Sequence, residues 1–157
     1  MADANALARA KRVYADLCAA LDNRNWKYKK REDDLVVTFG VNGDDIPMDF
    51  VLAIDADRQL IRLFSRFPFN VEQDHRMDLA IATCAANYKL ADGSFDYDLT
   101  SGQITFRLTA SFRESTIGEG LFNYMIDCSC HTVDKYNDKF LRVSNGTVGI
   151  DDFLTSL

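Results

Sequence analysis

The sequence has few of the residue types that commonly form catalytic centres and disulfide cross-links. It has two histidines, one tryptophan and four cysteines in 157 residues. No apolar run approaches the roughly 18 residues that a membrane-spanning helix needs, and the N-terminus has no apolar segment typical of a secretory signal. We therefore expect a cytoplasmic protein that does not contact membranes and whose Cys18, Cys84, Cys128 and Cys130 stay reduced.

Basic residues are also outnumbered. Eighteen lysines and arginines stand against 24 aspartates and glutamates, which gives a net charge of −6. Such a chain repels phosphate backbones unless a local basic patch overrides the field. The one basic run, Lys27–Arg31, is typical of an edge strand, where lysines prevent unwanted strand pairing. We expect no nucleic-acid partner, and DNA binding through this run is an alternative hypothesis.

What is present suits one globular domain. The chain has 47% apolar and 27% charged residues, and at its length it can bury roughly 70% of the surface that the unfolded chain exposes. It has no internal repeat, no low-complexity tract and no linker long enough to divide it. The sequence predicts a single domain over residues 1–157 that needs neither a disulfide nor a metal to fold.

Apolar periodicity gives the order of elements in the first half. A spacing of three, four and seven predicts a helix over residues 4–22, and alternation then predicts strands that start near Trp26, Leu35, Met48 and Gln59. The fourth strand is unusual because both of its faces are apolar. Such a strand is either central and covered or part of an interface.

The second half predicts a helix, a hairpin and a longer helix. Asn70 and Gln73 have the spacing of a capping box for a helix that runs to about Lys89. Thr116 and Glu119 have the same spacing at the start of the last helix. The residues of the first of these helices that we expect to be buried are Met77, Ala80, Ile81, Cys84 and Tyr88.

The resulting order is α-β-β-β-β-α-β-β-α. Because the strands follow each other through short turns, we expect an antiparallel sheet of about five to six strands with helices packed on one face, an α+β fold. The polar face of the hairpin and one face of the fourth strand are the surface that we expect to meet a partner or a second copy. Its residues are Leu60, Arg62, Phe64, Asp96, Asp98, Thr105, Arg107 and Thr109.

One dense group of reactive side chains stands out, at Asp127, Cys128, Cys130 and His131. On a helix the two thiols point about 200° apart, and a structural zinc site needs four ligands, of which no second pair exists here. We expect no catalytic residue, no metal and no cofactor. A small metal- or thiol-dependent enzyme around these residues is the alternative hypothesis.

The hairpin and the helix before it resemble one known family. Asn87 stands at the helix end, Gly93-Ser94-Phe95-Asp96-Tyr97-Asp98 forms a strand, and Ser101-Gly102-Gln103-Ile104-Thr105-Phe106-Arg107 forms its partner. This pattern is similar to that of the YbjN family, and the other elements fit in order along nearly the whole chain. The turn Thr100-Ser101-Gly102 lacks the acidic residue that often precedes its glycine in that family.

The resemblance implies a fold like that of type III secretion chaperones and a role in the regulation of sensory transduction. It brings no catalytic or ligand-binding residue with it. Together with the missing catalytic constellation, it favours a non-enzymatic regulatory module that binds a polypeptide by a sheet face or edge. We also expect the module to be a homodimer.

Overall fold

The computed structural model describes residues 4–157 and confirms the predicted order of elements. A short helix follows the last predicted one, and a 3₁₀ turn, Gln73–His75, precedes the second helix. The elements are α1 (Ala4–Asn23), β1 (Lys29–Arg31), β2 (Val36–Val41), β3 (Met48–Asp55), β4 (Leu60–Asn70), α2 (Arg76–Lys89), β5 (Ser94–Asp98), β6 (Gln103–Ser111), α3 (Glu119–Ser144) and α4 (Ile150–Thr155).

The strands form one six-stranded sheet in the order β1-β2-β3-β4-β6-β5. Every neighbouring pair is antiparallel. The four-strand meander therefore continues into the β5–β6 hairpin through β6, and β4 lies in the middle of the sheet. This arrangement confirms the predicted α+β fold and places β1 and β5 at the two edges.

The helices share one face of the sheet, as predicted. In β3, Phe50 and Leu52 are fully buried while Asp49 and Val51 are exposed, which is the alternation of a sheet covered on one side. Aromatic rings from both layers meet at the centre of the core, with ring centroids between 4.9 and 5.9 Å apart. They belong to Phe67, Phe95, Phe106, Tyr136 and Phe140.

Both predicted capping boxes are wrong. Asn70 is the last residue of β4 and pairs with β6, so its backbone belongs to the sheet and α2 begins only at Arg76. Helix α3 begins after Gly118, and no side chain caps its first turn. At Asn70 the spacing was right for a cap, but the backbone already belongs to the sheet.

The predicted buried face of α2 is also wrong. Met77 is 66% exposed and Tyr88 is 88% exposed, and Ile81 and Cys84 are exposed as well. The helix instead buries Leu79, Ala82, Thr83 and Ala86. These side chains are mostly small, which lets α2 lie close to β5, α3 and α4.

Candidate functional site

The predicted contact residues all lie on the face of the sheet that the helices leave uncovered, called the open face below. Phe64 stands opposite Arg107, Arg62 stands opposite Thr109, and Asp96 stands opposite Thr105. Residues opposite each other in a sheet share a face. The structure therefore brings together the full predicted set, Leu60, Arg62, Phe64, Asp96, Asp98, Thr105, Arg107 and Thr109.

Charges on the open face are largely neutralised by neighbours on the same face. Arg107 donates to both carboxylate oxygens of Asp96, at 2.6 and 3.0 Å, and these hydrogen bonds raise the pKa of the guanidinium further. The guanidinium of Arg62 lies 4.9 Å from the ring centroid of Phe64 and 3.6 Å from the carboxylate of Asp55. The open face also holds a shallow concavity of about 430 Å³ beside Asp96, Asp98 and Thr105.

Asp98 serves the β5–β6 turn. Its carboxylate accepts hydrogen bonds from the Thr100 N–H at 2.9 Å and from the Ser101 hydroxyl at 2.6 Å. The hydroxyl bond and the backbone bond lower the pKa of this carboxyl. Of these two aspartates of β5, Asp96 is the one that pairs with Arg107.

A large concave surface lies elsewhere, along α1, and is called the α1 groove below. One wall is a face of α1 from Leu7 to Asp22, and the other is formed by the β1–β2 and β3–β4 turns. Its volume is about 1040 Å³. The residues that line it are Leu7, Lys11, Tyr14, Ala15, Cys18, Ala19, Asp22, Lys30, Glu32, Asp33, Asp34, Leu35, Ile54, Asp55, Ala56 and Asp57.

The floor of the α1 groove is apolar and its rim is acidic. Tyr14, Cys18 and Leu35 are buried at its base. Burial raises the pKa of the Tyr14 hydroxyl to about 12. This hydroxyl therefore stays neutral and donates a hydrogen bond to the Val36 carbonyl. Six carboxylates and two lysines line the groove. The exposed Glu32 and Asp33 extend this acidic rim at the β1–β2 turn.

The groove reaches an open edge of the sheet. Lys30 is both a residue of β1 and part of the groove wall, and within residues 4–157 β1 pairs only with β2. At the opposite edge the Asn87 side chain covers β5. It accepts from the Phe95 N–H at 2.7 Å and donates to the Phe95 carbonyl at 3.0 Å, as a neighbouring strand would.

The structure places the residues from Asp127 to His131 in separate environments on α3. Asp127 pairs with Arg24 at 2.9 Å, and burial raises the pKa of the Cys130 thiol to about 11, whereas a nucleophilic cysteine needs a lowered pKa. His131 is exposed on the helix surface. Among residues 4–157 no three His, Cys, Asp or Glu side chains could together hold a metal ion.

The basic run also has acidic neighbours. The three residues of β1 are exposed, but Arg31 lies 3.7 Å from Asp34 and the Lys30 ammonium sits 5.5 Å from the ring centroid of Tyr28. The adjoining turn adds the exposed Glu32 and Asp33.

In the part of the chain that the structure describes, no helix is long and apolar enough to cross a membrane.

The α1 groove is the feature that sequence reasoning missed. Its lining comes from three separate segments, and on α1 it uses Ala15 and Ala19, whose small side chains leave space. The available signal was the pair of exposed alanines on the same side of a helix as Leu7 and Lys11.

Solved structures with the same fold come from two kinds of protein. The crystal structure of YbjN, described as a putative transcription regulator from E. coli, has a TM-score of 0.60 at 11% identity, over 80% of this chain and 92% of that one. The ExsC–ExsE complex gives 0.54 at 12%, over 81% and 92%. The HopA1–SchA chaperone–effector complex gives 0.57 at 12%, over 88% and 99%.

At these identities the likeness concerns the fold, and it confirms the chaperone-like architecture that the resemblance implied. No curated protein matches the sequence. A family model does match, over residues 14–142, from the middle of α1 to the last turn of α3. Its description is "Putative bacterial sensory transduction regulator". Because the match spans most of the sequence, this chain belongs to the YbjN family.

Proposed function

We propose that this chain is a non-enzymatic module that binds an extended segment of a partner protein in the α1 groove. The observation that carries the proposal is the groove itself, a large concavity with an apolar floor that opens at a free sheet edge. Peptide-binding domains commonly combine such an edge with pockets for alternate side chains. Two proteins of similar fold are described in complexes with another protein, ExsC with ExsE and SchA with HopA1, which supports the same role here.

The groove predicts the length and chemistry of the bound segment. From Leu7 to Asp22 the α1 wall extends roughly 22 Å at 1.5 Å per residue, which corresponds to about seven residues of extended chain. The apolar floor suits alternate aliphatic side chains, and the acidic rim suits basic residues between them. We therefore expect a segment of about seven residues in which aliphatic and basic side chains alternate.

Fluorescence anisotropy with defined peptides tests this proposal. The probe is a labelled heptapeptide in which valine and lysine alternate, compared with a valine–glutamate peptide of the same length. We expect the lysine peptide to bind at least about tenfold more tightly at low salt, and the preference to shrink as salt is added. Equal binding of both peptides, or binding of neither, would contradict the proposal.

Two variants test whether the peptide binds in the α1 groove. Ala19 is exposed and lines the groove, so Ala19→Trp fills it without touching the core and should abolish binding. Asp33→Lys should weaken binding of the lysine peptide, whereas the matched control Asp45→Lys, in an exposed loop outside the groove, should leave it unchanged. Tight binding by Ala19→Trp would place the peptide elsewhere.

We propose the open face as a second contact surface for the same partner. Phe64→Ala removes the largest apolar side chain of the predicted set, and Arg107→Ala removes the cation that pairs with Asp96. Both variants should reduce capture of a partner from lysate of the source cell while the heptapeptide still binds the groove. Unchanged capture with both variants would limit the partner to the groove.

We also propose that the module is a homodimer. The sequence argument for a dimer rested on the two apolar faces of the fourth strand. In the structure β4 is bordered by β3 and β6, and β3 pairs with residues 60–64 of it, so a second copy would meet that part of β4 on its open face. Light scattering tests the homodimer, which should have twice the mass of the 17.7 kDa chain. A monomer at all accessible concentrations would contradict it.

A further inference from the structure

The sheet opens between β3 and β4 near the start of β3. The pairs between these two strands end at Val51 and Phe64, although β3 extends back to Met48 and β4 extends on to Asn70. The register of β4 with β6 shifts in the same region, as it does at a β-bulge. The result is a concavity of about 540 Å³ on the open face, called the β3–β4 pocket below, and its volume is within the range of small-molecule sites.

Two opposite charges line this pocket from different strands. Asp49 of β3 and Arg66 of β4 both contribute to it, and an extension of the register from Val51 and Phe64 would set them opposite each other. Both side chains are exposed. Among residues 4–157 neither of them forms an ion pair, so both charges are available to a ligand.

Two other arginines of the open face are already neutralised. Arg62 lies 3.6 Å from the carboxylate of Asp55, and Arg107 donates to Asp96 at 2.6 Å. Arg66 also lines the shallow concavity beside Asp96, but that carboxylate is engaged by Arg107 through two hydrogen bonds. Arg66 therefore differs from these neighbours in having no carboxylate partner within the described chain.

The guanidinium of Arg66 is held in place by Gln103. Its Nε donates to the side-chain oxygen of Gln103, and the Gln103 amide nitrogen donates to the carbonyls of Phe67 at 3.1 Å and Ile104 at 2.8 Å. These bonds leave the two terminal nitrogens of Arg66, which form the fork that binds a carboxylate in a bidentate way. A guanidinium that is oriented before the ligand arrives loses less entropy on binding.

The rest of the pocket surface is largely apolar. Val51, Phe64 and Phe69 line it together with Pro68. Val51 is 36% exposed, and the rings of Phe64 and Phe69 are half-buried. An apolar group of a ligand would therefore bury surface that the fold itself leaves partly open, which favours its binding.

From this combination we infer that the β3–β4 pocket binds a free apolar α-amino acid. Its carboxylate pairs with Arg66, its ammonium group pairs with Asp49, and its side chain packs on Val51 and Phe64. A simple anion would be repelled by Asp49 and a simple cation by Arg66, whereas a small zwitterion satisfies both walls. This site goes beyond the proposed function and does not depend on the α1 groove.

Isothermal titration calorimetry of the wild-type chain with L-phenylalanine and its analogues tests the inference. Phenethylamine lacks the carboxylate, hydrocinnamate lacks the ammonium group, and glycine lacks the apolar side chain. We expect L-phenylalanine to bind at least about tenfold more tightly than each analogue, because each one loses a charge-assisted contact or the buried ring. Absence of binding at millimolar L-phenylalanine and L-leucine, or an analogue that matches L-phenylalanine, would overturn the inference.

Charge variants test which residues hold the ligand. Arg66→Gln should weaken binding of L-phenylalanine at least about tenfold, whereas the matched control Arg62→Gln, on the same face but outside the pocket, should leave it unchanged. Asp49→Asn should remove the preference for L-phenylalanine over hydrocinnamate, because the ammonium group then loses its partner. Its control Asp45→Asn, in an exposed loop, should keep that preference. All four side chains lie outside the hydrophobic core, so the variants leave its packing intact.

The outcomes separate this site from the α1 groove. Arg66→Gln should bind the valine–lysine heptapeptide as tightly as the wild type does, because Arg66 is not part of the groove lining. A wild-type protein that binds L-phenylalanine but not the heptapeptide would refute the proposed function alone. Wild-type affinity for L-phenylalanine in both Arg66→Gln and Asp49→Asn would overturn the inference, because the amino acid would then bind elsewhere.

Discussion

The Asn87 side chain should be one of the largest single polar contributions to the stability of this fold. It makes two hydrogen bonds to the backbone of Phe95, at 2.7 and 3.0 Å. The ring of Phe95 is buried against Phe106, Tyr136 and Phe140. Asn87 therefore fixes the edge strand β5 at the residue that anchors it in the aromatic core.

The substitution Asn87→Ala allows the magnitude to be estimated. Each lost hydrogen bond contributes about 1 kcal/mol, and leaving the half-buried Phe95 N–H and carbonyl without partners adds to the cost. Alanine has the better helix propensity by roughly 0.5 kcal/mol, which offsets part of the loss. We expect a net destabilisation of about 2 kcal/mol, which lowers the melting temperature of a chain of this length by roughly 4–8 °C.

Urea unfolding followed by circular dichroism measures the change, and Asn123→Ala is the matched control. Asn123 lies on α3, and its side-chain oxygen is buried without a hydrogen-bond partner, so the same substitution should leave stability unchanged or slightly raised. Hydrogen exchange adds a local readout, because the Phe95 amide should lose protection in Asn87→Ala. If the two alanine variants unfold at the same urea concentration, the reasoning about Asn87 is wrong.

Three further predictions concern a turn, a carboxylate and the thiols. Gly93→Ala should cost about 2–3 kcal/mol in urea unfolding, because Gly93 has a φ of +75° and a Cβ there would meet a buried aromatic ring at 2.4 Å. Burial works to raise the pKa of Asp55, but hydrogen bonds from Arg58 outweigh it and lower that pKa. The ionised carboxylate therefore stabilises the fold above the ordinary carboxyl pKa range, and this stabilisation is lost as the pH falls through that range. Asp55→Asn should flatten the acid limb of the plot of stability against pH. Maleimide at neutral pH should modify the exposed Cys84 well before Cys130, whose pKa burial raises to about 11, as read by mass spectrometry.

Each of these has an internal control. Gly120→Ala adds a Cβ that meets nothing within 4 Å in the first turn of α3, and it should stabilise the protein by up to about 1 kcal/mol. Asp45→Asn, in an exposed loop, should leave the acid limb as it is in the wild type. Cys84→Ser should remove the fast phase of labelling, and a fast phase that persists would mean that Cys128 or Cys130 is reactive.

The sequence predicted the fold well because strands have a strong local signal. Alternation in the second and third strands and in the hairpin gave their order and their faces. The residues of the predicted surface share one face of the sheet, since period-two patterns fix which residues share a side. That this face meets a partner stays a prediction.

Helix α2 shows where this reasoning stops. Both of its sides carry apolar residues, and the side with the larger ones looked like the core. Close packing on β5 instead selects the side with Ala82, Thr83 and Ala86, because small side chains let two layers approach. Periodicity detects an apolar stripe but cannot say whether the rest of the same chain or a second copy covers it.

The α1 groove could not be found from periodicity either. Its two walls come from α1 and from two turns that the topology brings together. Nothing in the local sequence of the β1–β2 turn links Asp33 to Ala19 on α1. A concave site between separate elements is a property of their packing, and only the tertiary structure reveals it.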